Sequence, residues 1–373
     1  MQNRGNRAHS TVFSRMKRPT LKLWLRQERL ARYRLTERIG RSGKRRILPS
    51  NRYVRPGELI KAPKSFNLIK GSGLEVGKFL RAVAHSVLVN KQQVRLDFKN
   101  TEQFHVPGTI LLFAELDRII STSELTKPVS IIDPFRRRPR EVLKQIGIHR
   151  LTGDRCDIIP EREDVVYWKA TKGNTQSGDT YGSLVEAIAE RANRDHAKQL
   201  EVSGLWRSVN EAIANSIDHA YKKPRYDNFP GLNETKWWMF SQIKDGIFTL
   251  AVCDLGCGYA KTISETIPEK FVATIASTFL GTNRDALSID TAMEYGRSGT
   301  HQSNRGKGSR DVLSLLQKHG DGELVVLSNS GWMRYEYQNR EERNKSNGAL
   351  GIDIGGTIVW WKLPLKELAD ERH

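Results

Sequence analysis

The sequence predicts an α/β protein in two parts behind a basic arm, and three observations lead there. Positive charge is concentrated at one end, strand and helix patterns alternate from Lys61 onward, and Gly-rich turns interrupt apolar runs in the second half. In residues 1–56, 17 Lys and Arg stand against Glu28 and Glu37 alone, so this stretch supplies 15 of the 19 net positive charges of the 373-residue chain. The remainder is close to neutral, and with 38% apolar residues overall the chain can bury one or two cores of ordinary size.

The three cysteines, Cys156, Cys253 and Cys257, are too few for a disulfide framework and lack a second pair to complete a zinc site. A reducing, cytoplasmic setting is expected. No apolar run approaches the ~18 residues that would span a bilayer, and no apolar stretch follows the basic amino terminus as a secretory signal requires, so no membrane partner is expected. Cys253 lies in an apolar strand pattern and Cys257 in the turn after it, which fits core packing better than metal binding.

The arm, residues 1–56, reads as a solvated or partner-ordered tail. Its arginines also suit a phosphate backbone, with Trp24, Tyr33 and Tyr53 available to stack on bases, so nucleic acid is one candidate partner. From 61 to 153 the elements follow in the order short strand (Phe66–Ile69), helix (Val76–Val89), strand (Val94–Phe98), buried helix (His105–Ile120), strand (Val129–Ile132) and helix (Pro139–Gly147), a small α/β layer. The run from Leu96-Asp97-Phe98 to Leu116 resembles the STAS type of regulatory domain, in which a strand ending in Asp-Phe precedes a loop and a Leu-rich helix. In that family a Ser or Thr after the strand can be phosphorylated. Thr101 is the hydroxyl among Lys99, Asn100, Thr101, Glu102 and Gln103, and a degenerate domain serving intramolecular or subunit contact is the expectation. Residues 154–182, with Gly173, Asn174 and Gly178, read as a linker, and 183–368 as the second domain.

Four elements of that second domain carry chemistry. In Leu205–Tyr221 the apolar residues fall at helical spacing while Glu211, Asn215 and Asp218 share another face. Asn215 offers a neutral oxygen to magnesium, and Glu211, one turn earlier, can orient or deprotonate an attacking water. In Phe248–Gly258 an apolar strand ends at Asp254, and Gly256 and Gly258 form a tight turn behind it. A carboxylate there can accept the exocyclic amino hydrogen of adenine, which guanine does not offer at that position. The segment Gly296–Leu316 is a basic, Gly-rich loop without acidic residues before Asp311, running into a helix, with Arg305, Lys307 and Arg310 available to phosphate. Thr357 opens a strand near the chain end.

Each element alone has an ordinary explanation: a surface helix, a plain turn, a surface loop, a structural Thr. In this order and spacing they resemble the ATPase superfamily that includes gyrase, the heat-shock chaperone, histidine kinases and MutL (GHKL), over about 165 residues. The resemblance implies a two-layer α/β sandwich with a mixed sheet. It implies ATP and Mg2+ as cofactors, Glu211 as general base and Asn215 as magnesium ligand. Asp218 joins the site, and Asp254, Gly256 and Gly258 form the adenine pocket. Arg305, Gly306, Lys307 and Gly308 belong to the lid, and Thr357 is a pocket contact. The lid reads Asn-Arg-Gly-Lys-Gly where sensor kinases carry Gly-x-Gly-Leu-Gly. His219 after Asp218 resembles the histidine-kinase helix, whereas Glu211 is expected of hydrolysing members. Slow ATP hydrolysis used as a conformational switch on a partner protein, a second copy or nucleic acid is the expected function. The alternatives are a histidine-kinase or anti-sigma-like protein kinase, and a non-hydrolysing adaptor.

Overall fold

The computed structural model describes residues 57–69, 71–161, 169–174, 202–225, 227–232, 234–297 and 308–365, with helical positions at 185, 186, 189 and 190. The basic arm, and any contact it makes, lies outside the described residues, which all belong to one compact unit.

The first layer is built from β1 (Glu58–Lys61), β2 (Ser65–Phe66), α1 (Gly73–Ala84), β3 (Val94–Asp97), β4 (Gln103–Phe104), α2 (Val106–Thr122) and β5 (Val129–Ile132). β1, β3 and β5 pair in parallel in that order, and parallel neighbours need crossovers, which α1 and α2 supply. β2 and β4 form a separate two-stranded parallel pair, so the strand expected over Phe66–Ile69 shrinks to two residues. The helix expected over Val76–Val89 is α-helical through Ala84 and ends in a π-helical turn, His85–Val89. Thr101 is buried and its hydroxyl donates to the Pro63 carbonyl at 2.8 Å. Then follow α3 (Arg137–Gln145) and α4 (Ile148–Thr152).

The second layer is a seven-stranded sheet in the order β11-β10-β9-β12-β8-β7-β6. Its strands are β6 (Lys169–Gly173), β7 (Trp237–Lys244), β8 (Ile247–Asp254), β9 (Gly322–Ser328), β10 (Gly331–Gln338), β11 (Glu341–Ala349) and β12 (Thr357–Pro364). Every pairing in it is antiparallel, which corrects the mixed sheet implied by the resemblance: parallel pairing is confined to the first layer. The cause lies in the connections. β7 to β8 and β9 to β10 to β11 are hairpins closed by two-residue turns, which join antiparallel strands only. β6 also falls within the stretch that reads as a linker, because Lys169–Gly173 carries little apolar alternation and gains its strand from pairing with β7.

The helices of this half are α5 (Val202–Asn215), α6 (Tyr259–Thr266), α7 (Glu269–Thr278), α8 (Arg284–Arg297) and α9 (Gly308–His319). β7, β8, β9 and β12 are largely apolar, and only the end residues Ile247 and Pro364 are exposed, because both faces of the sheet are covered. Trp237, Met239, Leu250, Val252, Val326 and Trp361 pack with α5, α8 and α9. Trp238, Phe240, Ala251, Cys253, Val325 and Leu327 belong instead to the core of the first layer, where β7 and β8 meet α2. No helix among the described residues is long and apolar enough to cross a membrane.

The helix between the two sheets has no solvent side: every residue from Val106 to Ile119 is buried, including three charged ones. Asp117 receives Trp238 Nε1 at 3.0 Å and Lys236 Nζ at 2.9 Å, and it pairs with Lys172 of β6. Glu115 receives Arg118 Nε at 2.9 Å and Arg225 Nη2 at 2.7 Å, and Asp227 lies 3.3 Å and 3.1 Å from the same two guanidinium groups. Burial drives the Glu115 carboxyl upward, but Arg118 and Arg225 outweigh it and hold the group below its ordinary range.

Removing one partner of such a set leaves uncompensated charge in the interior. Asp117→Ala is expected to lower the unfolding free energy by about 3–5 kcal/mol, read from urea denaturation at neutral pH. A loss in the ~0.2–1 kcal/mol range of exposed pairs would show that the network is hydrated.

Candidate functional site

Asp254 ends β8 and stands opposite Thr357, the first residue of β12, in the strand register. One oxygen, Oδ1, accepts the backbone N–H of Gly256 at 2.9 Å and of Thr357 at 3.2 Å, and the Thr357 side chain adds a further hydrogen bond. The side chain is nonetheless buried deeply enough that desolvation pushes its pKa up to about 7, with the N–H donors and Arg225 pulling the other way. A group this near neutrality changes charge in the physiological range, which is common where a site handles a ligand or a proton.

The turn after Asp254 is closed by protein on both sides. Gly256 presses against the Ala220 carbonyl so tightly that a Cβ would come within 2.2 Å of that oxygen, and the next amide, Cys257, donates to it at 2.7 Å. Gly258 has φ +72°, and a Cβ there would fall 2.5 Å from the Asn329 amide nitrogen. The two glycines therefore let three backbone segments meet. Cys253 and Cys257 are buried free thiols whose pKa values burial raises, so both act as core residues.

Ala220 is where the second group of residues arrives. α5 runs to Asn215 and then widens into a π-helical turn, Ser216–Ala220, an irregularity frequent at functional sites because it re-aims the residues that follow. Glu211 and Asn215 are half-buried and joined by a side-chain hydrogen bond, while Asp218 is exposed. The Glu211 pKa is raised, first by burial, then by the negative charge of Asp311, with Asp218 adding to it and the Asn215 hydrogen bond opposing. Asp311 belongs to the first turn of α9, which is locked onto α5 through Ser208: its hydroxyl lies 2.7 Å from the Asp311 carbonyl and accepts the Leu315 N–H at 3.3 Å. Gly308, the first residue of α9, is thereby brought to the Glu211 side of the sheet. Arg305, Gly306 and Lys307 lie outside the described residues.

Tyr259, at the start of α6, connects the two groups. Its hydroxyl pKa is raised by burial and then by the charges of Asp254 and Glu211, so it lies within electrostatic reach of both carboxyls. Its backbone N–H donates to Ser328 Oγ at 2.9 Å, and Ser328 Oγ is 3.4 Å from Thr357 Oγ1.

Asn329, in the β9–β10 turn at φ +50°, holds the Cys257 carbonyl through Nδ2 at 3.2 Å, while its buried Oδ1 has no hydrogen-bond partner among the described residues. Sequence reasoning missed Tyr259, Ser328 and Asn329. The signal was present as Ser-Asn-Ser-Gly between two strand patterns, where an Asn tolerates the left-handed region. It missed Arg225 as well, whose guanidinium lies against Gly355 and joins the loop before Thr357 to the ionic network on α2. That network borders a cavity of about 350 Å3 whose walls include Arg81, Glu115, Arg225, Phe229 and Asp353.

Compared with known proteins, the chain matches no family model and no curated protein.

The raised Asp254 pKa ties stability to pH. An acid with a folded pKa above its unfolded value stabilises the fold below the unfolded value, and that contribution disappears as pH rises through about 7. Between pH 5 and pH 8 wild type should lose about 2–3 kcal/mol relative to Asp254→Asn, measured by denaturant unfolding of both proteins at the two pH values. Parallel pH curves would show that the carboxyl is solvated.

Proposed function

We propose that the protein binds ATP with magnesium and hydrolyses it slowly, and that the nucleotide acts as a switch on contacts with a partner protein, a second copy or nucleic acid. The observation that carries this reading is the meeting at one end of the sheet of Asp254 and Thr357 with the Glu211–Asn215 turn of α5, bridged by Tyr259. Bound nucleotide and magnesium would supply a hydrolysable phosphoanhydride and the positive charge that offsets its phosphates.

In this reading the Asp254 carboxylate accepts the adenine amino group. A buried carboxyl with pKa about 7 loses its proton when such a donor arrives, so binding expels a proton to solvent near neutral pH. Thr357, beside it, holds the carboxylate in place. Asn215, hydrogen-bonded to Glu211, would hold the magnesium ion through its amide oxygen, and Glu211 would accept a proton from water. Its raised pKa makes it a stronger base than an ordinary glutamate. Arg305, Lys307 and the glycines at 306 and 308 would supply a basic lid to the phosphates, with 305–307 outside the described residues. Because the antiparallel sheet departs from the mixed sheet of the superfamily, the reading stands on the site. Gly256 and Gly258 serve it by closing the turn on Ala220 and Asn329.

Calorimetry with magnesium and ATP tests the proposal. Asp254→Asn should weaken binding roughly 10–100-fold, the loss of a charge-assisted hydrogen bond, and GTP should compete poorly. Glu211→Ala should keep the affinity and lower phosphate release about 10²–10⁴-fold. No magnesium-dependent binding by wild type would remove the proposal, and wild-type turnover in Glu211→Ala would remove the role of Glu211.

A further inference from the structure

The first layer holds a cluster that neither the nucleotide reading nor the packing of the core uses. Asp133 follows β5 directly, His149 is on the short helix α4, and Cys156 lies in the extended segment after it. One ligand atom from each falls within 4.8 Å of the others. His149 is buried, with Nε2 2.9 Å from Asp133 Oδ1, while Nδ1 has no hydrogen-bond partner among the described residues. The nitrogen that faces the cluster is Nε2, so an ion held there takes Nε2 and the Asp133 oxygen, now 2.9 Å apart, in place of the hydrogen bond between them.

The surrounding chain fixes the three residues in place. Asp154 accepts the Ile131 N–H of β5 at 2.8 Å, the Thr152 hydroxyl at 2.9 Å and Lys127 Nζ at 2.7 Å, which ties the segment after α4 back to the strand that carries Asp133. Lys144 of α3 donates to the Cys156 carbonyl at 2.7 Å and holds that residue from the other side. Gly147 and Gly153, both at positive φ, bracket α4 and turn His149 inward.

We propose that Asp133, His149 and Cys156 bind a zinc-like transition-metal ion, separate from the nucleotide site. The donor set decides the class of ion. A thiolate, an imidazole and a carboxylate suit zinc, whereas magnesium requires an all-oxygen shell. In a tetrahedral zinc site neighbouring donor atoms sit roughly 3.3–3.7 Å apart, so the cluster lies within about an ångström of the bound arrangement. As the ion binds, the Cys156 thiol gives its proton to solvent and the thiolate takes the metal bond. Water fills the fourth position. The ion joins the end of β5, α4 and the segment beyond it, cross-linking one edge of the first layer.

Cobalt(II) reports on such a site directly. The full chain, stripped with a chelator, is titrated with cobalt and then with zinc, with magnesium as a control. The expected result is one equivalent of cobalt with a thiolate-to-metal charge-transfer band, displaced by zinc and unaffected by magnesium. The band should vanish in Cys156→Ser, and zinc affinity should fall at least about 100-fold, beyond the effect of an outer-shell substitution. Zinc should raise the Tm of wild type and leave that of Cys156→Ser unchanged. Asp133→Asn, which preserves shape, should weaken cobalt binding without loss of folding. A band that persists in Cys156→Ser would assign the thiolate to Cys253 or Cys257 and overturn the proposal, as would the absence of stoichiometric cobalt binding.

Discussion

A helix with no solvent side must find a partner for every group it carries, and α2 meets that demand by borrowing from both sheets. Its apolar residues join Trp238, Phe240 and Cys253 on one side and Val94, Leu96 and Val129 on the other. Its charges are met by Lys172, Lys236 and Arg225, which all lie later in the chain. Taking such charges out of water is unfavourable unless the geometry is good, so the network acts as a register lock. A slip of β7 by one residue would turn Trp238 to the opposite face and remove its indole N–H from Asp117. The arrangement of the seven-stranded sheet is fixed by what α2 requires.

The candidate site inherits this rigidity. β8 is covered by α2 on one face and by α5 on the other, so Asp254 at its end is held from both sides. The irregular segments around it, the turn at 255–258, the Asn329 turn and the loop before Thr357, are bonded to one another: the Asn329 N–H donates to Gly356 and the Ile354 N–H to Asn329. Preorganised turns on fixed strands are how a fold places polar groups without mobile side chains. Arg225 extends the connection, since it touches Gly355 on one side and Glu115 of α2 on the other. A displacement of the loop before Thr357 would therefore reach the ionic network directly.

Much of this was legible in the residues themselves. The apolar positions of His105–Ile120 marked a buried helix, found at Val106–Thr122, and the strands ending at Asp254 and beginning at Thr357 were marked by apolar runs beside glycines. The joining of Glu211 to Asn215 followed from their spacing of four. Sheet order was not legible: Lys169–Gly173 becomes a strand through pairing with β7, information held in Trp237–Ser241. Nor was the π-helical turn after Asn215, which begins where Ser216 Oγ bonds back to the Ala212 carbonyl. The meeting of Asp133, His149 and Cys156 depends on Asp154 folding the chain back onto β5, a long-range effect with no periodic trace.

The shared helix also governs how the protein can be taken apart. A fragment beginning near residue 183 would lack α2 and β6 together. It would present Trp238, Phe240, Ala251, Cys253, Val325 and Leu327 to water as one broad apolar plate, beside an unpaired edge on β7. The complementary fragment would expose the other side of α2 with its carboxylates stripped of Lys236 and Arg225. Both pieces carry the surface features of aggregating species, so expression of isolated halves would report on their stickiness and not on their activity.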